Sequence, residues 1–294
     1  MASLICGSLA FDTIMDFEGR FAEQILPDQL HILNVSFLVP SLRRDFGGCA
    51  GNIAYSLKQL GGTPLPMATL GRDGQTYLER LQQLGISTEF VRLIDEAYTA
   101  QAMIMTDRDN NQITAFHPGA MSHAHGSRVM SRDDIRLGIV SPDGRDAMMQ
   151  HAEQMHAAGI PFVFDPGQGL PMFDGPELAR MVELASWVTV NDYEGKMLCE
   201  RTGWSASEMS KRVRGLTITL GSQGCEVWVD GHRTLVPGVQ AQQVVDPTGC
   251  GDAWRGALLH GLEQGWALTR CAELGNRMGA LKIAHRGPQN YSVK

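Results

Sequence analysis

The pattern of apolar and polar positions changes period several times along the chain, and each change marks an element. Residues 4–11 form a short apolar run broken by Gly7, which predicts a buried strand opening the core sheet and ending at Asp12. Alternation over 33–40, interrupted by Pro40, and again over 41–46 predicts strands with one wet face. Ile53, Ala54, Leu57 and Leu60 recur at helical spacing and stop at Gly61-Gly62, so a helix is expected over 52–60, and another over 76–84. A second alternating stretch over 99–106, followed by Asn110-Asn111 and then 112–116, reads as a β-hairpin.

Beyond that hairpin, strands and helices take turns. Strands are expected over 160–165, 187–191 and 216–220, with 226–229 as part of a hairpin; helices are expected over 177–184, 192–200, 252–264 and 268–284. Such alternation predicts an α/β fold with a mainly parallel, Rossmann-type sheet flanked by helices. The two alternating stretches, near 14–46 and 97–118, are expected to form a small β-sheet lid inserted into one domain spanning 1–294.

At 294 residues and 43% hydrophobic content the chain can bury a large core, and a formal charge of -7 gives no basic face for a phosphate backbone. A small molecule is therefore the expected partner, not nucleic acid. No stretch reaches membrane-spanning length and no basic leader precedes the first apolar run, so a cytoplasmic location without a membrane partner is expected. Six dispersed cysteines with no CxxC pair read as reduced thiols, and His123 with His125 lacks the acidic or thiol neighbours of a zinc site.

The strongest local signal is Asp246-Pro-Thr-Gly-Cys-Gly-Asp252, a glycine loop opening a helical run. A loop of this kind presents the N–H groups of Gly249, Cys250 and Gly251 at the positive end of a helix dipole, which suits an anion. Asp252 at its mouth is placed to accept the proton of an attacking hydroxyl, as phosphoryl transfer requires. Spacing alone leaves a plain helix N-cap role for Asp252 equally open. Cys250, at a helix start, is either a thiol of lowered pKa or a small buried filler.

This segment resembles the C-terminal signature of the PfkB (ribokinase-like) carbohydrate and nucleoside kinases. Gly47-Gly48-Cys-Ala-Gly-Asn52 is similar to the family's N-terminal signature, and Gly71-Arg-Asp-Gly74 to the Gly-x-Asp-x-Gly that follows it; Asp165-Pro166, Asn191-Asp-Tyr-Glu194 and Thr219-Leu-Gly-Ser-Gln-Gly224 extend the match along the chain. The resemblance implies a Rossmann-like domain with a β lid that closes on its acceptor, the use of ATP with Mg²⁺, and activation by a monovalent cation such as K⁺ near Asp246 and the 284–289 loop. It implies Asp252 as catalytic base, Gly249, Cys250 and Gly251 as the anion hole, Asn191 near the nucleotide phosphates, and Glu194 near Mg²⁺ through water. Thr219, Gly221 and Gly224 would form the nucleotide loop and Asn276 would face the adenine. Asp12 would accept hydrogen bonds from sugar hydroxyls in a pocket completed by Gly47, Gly48 and Asn52. A homodimer through the lid stays open.

Phe116-His-Pro-Gly-Ala-Met121, Gln168 and the run from Asp246 to Gly256 resemble adenosine-kinase-like nucleoside kinases more than ribokinases. The implied reaction is phosphorylation of the 5′-hydroxyl of a ribonucleoside, adenosine or another purine nucleoside. A ribokinase-type sugar kinase and a non-catalytic sensor of the same fold are the alternatives. Phe116 or Phe37 would stack on the purine and Gln168 would bond its edge, while Arg43-Arg44 would favour a sugar phosphate instead.

Overall fold

The computed structural model describes residues 2–25, 34–109, 111–130 and 132–293; Leu33 of the expected 33–40 strand and Asn110 of the hairpin turn lie outside them. The first part of the chain contains β1 (Ala2–Cys6), β2 (Ala10–Asp16), α1 (Phe21–Gln24), β3 (Ser41–Gly47), α2 (Cys49–Gln59), β4 (Pro64–Gly71) and α3 (Gln75–Gln83). Then come β5 (Val91–Ile94), β6 (Ala100–Thr106), β7 (Gln112–His117), β8 (Ile135–Val140), α4 (Arg145–Ala157), β9 (Phe162–Phe164) and α5 (Gly175–Leu184). The last third holds β10 (Trp187–Asn191), α6 (Asp192–Thr202), α7 (Ala206–Ser210), β11 (Gly215–Thr219), β12 (Gly224–Val229), β13 (His232–Pro237), α8 (Cys250–Glu263) and α9 (Leu268–Ile283).

These strands make a nine-stranded sheet in the order β13-β12-β11-β10-β9-β8-β1-β4-β5 and a four-stranded sheet in the order β3-β2-β6-β7. The large sheet is parallel from β11 to β5, with β12 and β13 as an antiparallel hairpin on one edge. Its inner strands β1, β4 and β9 are buried along their whole length, as strands covered on both faces must be. The small sheet is only partly buried and forms the lid.

Two expectations change here. The apolar run 4–11 is not one strand: β1 ends at Cys6, and after Gly7 the chain re-forms as β2 in the other sheet. Gly7 packs so closely that a Cβ there would strike the Ser141 hydroxyl. Asp12 therefore sits inside a lid strand, opposite Asp45 on β3 and Ala102 on β6, and does not end a core strand. Residues 34–39 are irregular instead of extended in a sheet, and Phe37 packs edge-on against Phe17 and Phe21. Among the described residues no helix is long and apolar enough to cross a membrane, and all six cysteines are free thiols.

Candidate active site

Two helices begin at the same place. α2 is preceded by Gly48 at φ 84° and α8 by Gly249 at φ 80°, left-handed turns that glycine adopts without strain. At Gly249 a Cβ would also lie 2.6 Å from that of Pro288. Asp252 is the third residue of α8, yet its side chain caps nothing. Its Oδ2 accepts a hydrogen bond of 2.8 Å from Asn52 Nδ2 on α2, which removes the N-cap reading.

The amides of the α8 loop are not all free. Cys250 N–H already donates to Pro247 O at 3.2 Å, whereas among the described residues those of Gly249, Gly251 and Asp252 find no protein acceptor. The amides left without a protein acceptor at this end of α8 are thus those of Gly249, Gly251 and Asp252, with the Cys250 amide holding the turn. Burial pushes Asp252 up to about 6, held back by the Asn52 hydrogen bond and by the charge of Arg255. A carboxylate in that range is ionised at neutral pH and still a usable proton acceptor. Burial likewise pushes the Cys250 thiol up to about 11, so it is not the activated thiol that its helix position suggested.

Asn52, expected in the acceptor pocket, is instead committed to Asp252. Gln289 Nε2 donates to Asn52 Oδ1 at 3.0 Å and to the Tyr77 hydroxyl at 2.8 Å, and that hydroxyl donates to Gly47 O at 2.6 Å. The chain of bonds runs from Asp252, through the C-terminal loop, to Gly47 at the end of β3.

Asp12 looks into the same space from the lid. Burial and then the neighbouring charges of Asp45, Asp252 and Asp246 push it up to about 7, opposed by Arg43. Gly47 lies against it so closely that a Cβ would overlap the carboxylate, and Gly48 leaves room for the backbone of Ser8 and Ala10. Phe116, on β7, is 54% exposed, and Gln168 is exposed in the turn after β9. Arg43 is bound to Asp45 at 3.3 Å and Asp246 at 3.4 Å, and Arg44 to Asp73 at 3.0 Å with its guanidinium over the Phe11 ring, so neither is a free cation awaiting a sugar phosphate.

Asp165, Asn191 and Thr219 sit at the C-terminal ends of neighbouring parallel strands, where open α/β sheets bind ligands. Asn191 is the N-cap of α6: its Oδ1 accepts from Glu194 N and its own N–H donates to Glu194 Oε2, both at 2.8 Å. Glu194 Oε1 keeps no protein partner among the described residues, and Oε2 lies 3.8 Å from Arg255 Nη2. A buried fork joins Arg255 to Asp165, Nη2 to Oδ1 at 2.6 Å and Nε to Oδ2, while Nη1 donates to Gly251 O at 3.2 Å. Arg255 was not singled out from the sequence, although a charge three positions after Asp252 on an otherwise apolar helix face demands a buried partner.

Beside α8 opens a cavity of about 610 Å³ lined by Thr219, Gly221, Gly224, Cys250, Gly251 and Asn276, among others. The expected nucleotide-loop residues are thereby brought next to the anion-binding helix end. Gly224, at φ 104°, lets β12 lie against Val236 and Gly238. Asn276 borders the cavity, but its amide is used internally: Oδ1 accepts from Trp254 Nε1 at 3.1 Å, and Nδ2 donates to Pro237 O at 2.9 Å and to Val236 O at 3.4 Å. It shapes the wall with no donor left over. A second cleft, of about 440 Å³, opens by His156 and Arg214 at the opposite ends of the strands, with none of these residues nearby.

Asp246 is buried, and its Oδ1 and Oδ2 accept from Thr248 N and Gly287 N, each at 2.9 Å. Burial would raise it, but those amides hold it below the usual carboxylate range. His123 and His125 stay apart from any ligand set: among the described residues no group of three His, Cys, Asp or Glu is placed to hold a metal ion.

A half-buried carboxylate beside unpaired amides at a helix start, across from a second carboxylate on the small sheet, suits a phosphotransferase that uses an alcohol group as acceptor, and that is the class of this enzyme. The chain belongs to the pfkB family: the model for pfkB family carbohydrate kinases matches residues 13–294. The nucleoside kinase of Methanocaldococcus jannaschii is 29% identical over 98% of this chain and 93% of its own length. The nucleoside kinase of Burkholderia thailandensis in complex with inosine is 55% identical, superposes with a TM-score of 0.89, and is matched over 99% of this chain and 93% of that one. Its ADP-inosine complex, at 56% identity and a TM-score of 0.87, is matched over 99% and 92%.

Proposed function

We propose that this enzyme transfers the γ-phosphoryl group of ATP to the 5′-hydroxyl of a purine ribonucleoside. The observation that carries the proposal is Asp252, a carboxylate released from capping, ionised at neutral pH, and adjacent to the unpaired amides of Gly249 and Gly251. The relation to nucleoside kinases that bind inosine, with and without ADP, supports the acceptor class.

In this reading Asp252 accepts the proton of the 5′-hydroxyl as the oxygen attacks phosphorus, and the α8 amides take up the charge on the transferring group. Asp12 accepts hydrogen bonds from the ribose 2′- and 3′-hydroxyls, and Gly47 and Gly48 give it room. The base extends past Phe116 and Gln168 at the rim. ATP lies in the cavity between the Thr219 to Gly224 loop and α9, with Asn276 in its wall. Magnesium, when bound with ATP, neutralises phosphate charge; the free oxygen of Glu194 is a hard donor suited to one of its waters. The lid belongs to one 1–294 unit with the core and closes over the acceptor, and its exposed edge strand β7 is where a second copy would pair.

The test is Mg²⁺-ATP consumption by the wild type and Asp252→Ala with adenosine, inosine, guanosine, cytidine, ribose, fructose and fructose 6-phosphate. Turnover with purine nucleosides that disappears in Asp252→Ala supports the reading. Preference for a free sugar moves the acceptor to the ribokinase branch, and silence across the panel favours a sensor or an acceptor outside the panel.

A further inference from the structure

Lys282 is a full charge with no exposure to solvent, near the C-terminal end of α9. Its ammonium donates to the carbonyl oxygen of Asp246 at 2.7 Å and to that of His285 at 3.1 Å. Asp246 in turn ties the loop before α8, through Thr248 N, to the C-terminal loop, through Gly287 N. Two backbone carbonyls beside a buried carboxylate residue are the hard oxygen donors that a dehydrated monovalent cation takes. A K⁺ ion set among them would stand against a like charge already in hydrogen-bond contact with both carbonyls, so the cation expected near Asp246 does not fit this chain.

We infer that the Lys282 ammonium serves as a built-in monovalent cation, joining the anion-binding loop of α8 to the 284–289 loop, so that the enzyme works without K⁺. Lys282 makes no hydrogen bond to Asp252 and is not itself among the residues lining the cavity; it is a positioning residue acting through Asp246, Gly249 and the turn between them. The same 284–289 loop carries Gln289, which holds Asn52 against Asp252, so the fixed charge steadies both the amides and the base. Burial holds the Lys282 ammonium below its usual range, aided by the like charge of Arg43 and opposed by Asp246, Cys250 and Asp45.

The experiment is a KCl titration at constant ionic strength, with tetramethylammonium chloride as the balancing salt, read by inosine phosphorylation and by thermal melting. The wild type is expected to show a flat rate and an unchanged Tm. Lys282→Met is expected to lose turnover and to regain about tenfold or more when K⁺ or NH₄⁺ is added, with a cation-specific rise in Tm from binding to the folded state. A saturable activation of the wild type by K⁺, or a K⁺-specific rise in its Tm, overturns the inference, as does a Lys282→Met enzyme that folds but is rescued by no cation. Should Lys282→Met fail to fold, the wild-type titration decides alone. The activity arm rests on the kinase reading; the melting arm does not, so a wild type that phosphorylates nothing in the panel refutes that reading and leaves the cation question to the Tm.

Discussion

Asn52 Nδ2 donates to Asp252 Oδ2 at 2.8 Å, joining the first turns of two helices that lie 200 residues apart in sequence. A donor to the ionised form favours that form, so Asn52 keeps Asp252 from rising as far as its burial would carry it.

Asn52→Ala should therefore move the acid limb of the pH–rate profile upward from the region near 6 where Asp252 titrates. The base must be deprotonated to work, so the loss of kcat/KM should be largest below neutrality and smallest at pH values well above the limb. A profile whose acid limb stays in place would show that the bond does not tune the base.

Asp252→Asn should lower kcat by about 10²–10⁴, the range of a general-base contribution, because the amide keeps the shape of the site without its basicity. ADP binding followed by calorimetry should persist, since the cavity wall is untouched. Loss of both activity and nucleotide binding would point to a collapsed loop.

Asp12 titrates near 7 in the folded chain, above the ordinary carboxylate value that it has when unfolded. Between those two values the native state holds a proton that the unfolded state has released, so the contribution of Asp12 to stability falls as pH rises and its penalty is complete above 7. Asp12→Asn should melt higher than wild type at pH 8, with that advantage gone at pH 4. In the same variant the nucleoside KM should rise about 10- to 100-fold, the scale of hydrogen bonds to a charged group, with kcat changed less. An unchanged KM would remove Asp12 from the acceptor site.

Arg255→Met should unfold in urea with about 3–5 kcal/mol less stability, because it leaves Asp165 buried without its fork. Adding Asp165→Leu should recover part of the loss, as an apolar pair replaces an unpaired charge. If the double variant were no better than the single, the damage would lie in packing and not in the orphaned carboxylate.

The layered core and most helices of the second half were legible because their signals are local. The predicted strand 187–191 coincides with β10, and the helices over 192–200, 252–264 and 268–284 differ from α6, α8 and α9 by at most two residues at an end. The lid was legible through its period-two alternation, as the half-buried strands β2, β3 and β6 show. The run 4–11 misled because an apolar stretch with one glycine break reads alike whether it serves one sheet or passes between two; the close approach of Gly7 to Ser141 marks the crossing. Strand β4, with Pro64 and Pro66, and helix α4, with its mixed Met, His and Gln face, gave weak local signals and take their form from the surrounding core.

The motif residues come together at the C-terminal edge of the sheet, but what each side chain does there depends on partners far away in sequence. Asn52 reads as an acceptor-pocket residue until Asp252 and Gln289 are seen on either side of it. Asn276 reads as a ligand donor until Trp254 and Pro237 are found to occupy its amide. Lys282 and Arg255 were legible only as charges on buried helix faces, a signal that demands a partner without saying which.

The passage from β1 to β2 has a consequence for how this kind of enzyme can diversify. β1 lies between β8 and β4 in the interior of the large sheet, and the lid begins three residues after its end. The cover of the site is not an appendage that a deletion could trim away, because the backbone that enters it has just left a fully buried strand. Lineages built on this plan are free to repaint the inner surface of the cover one side chain at a time, and so to exchange one acceptor for another, but losing the cover would unravel the centre of the molecule.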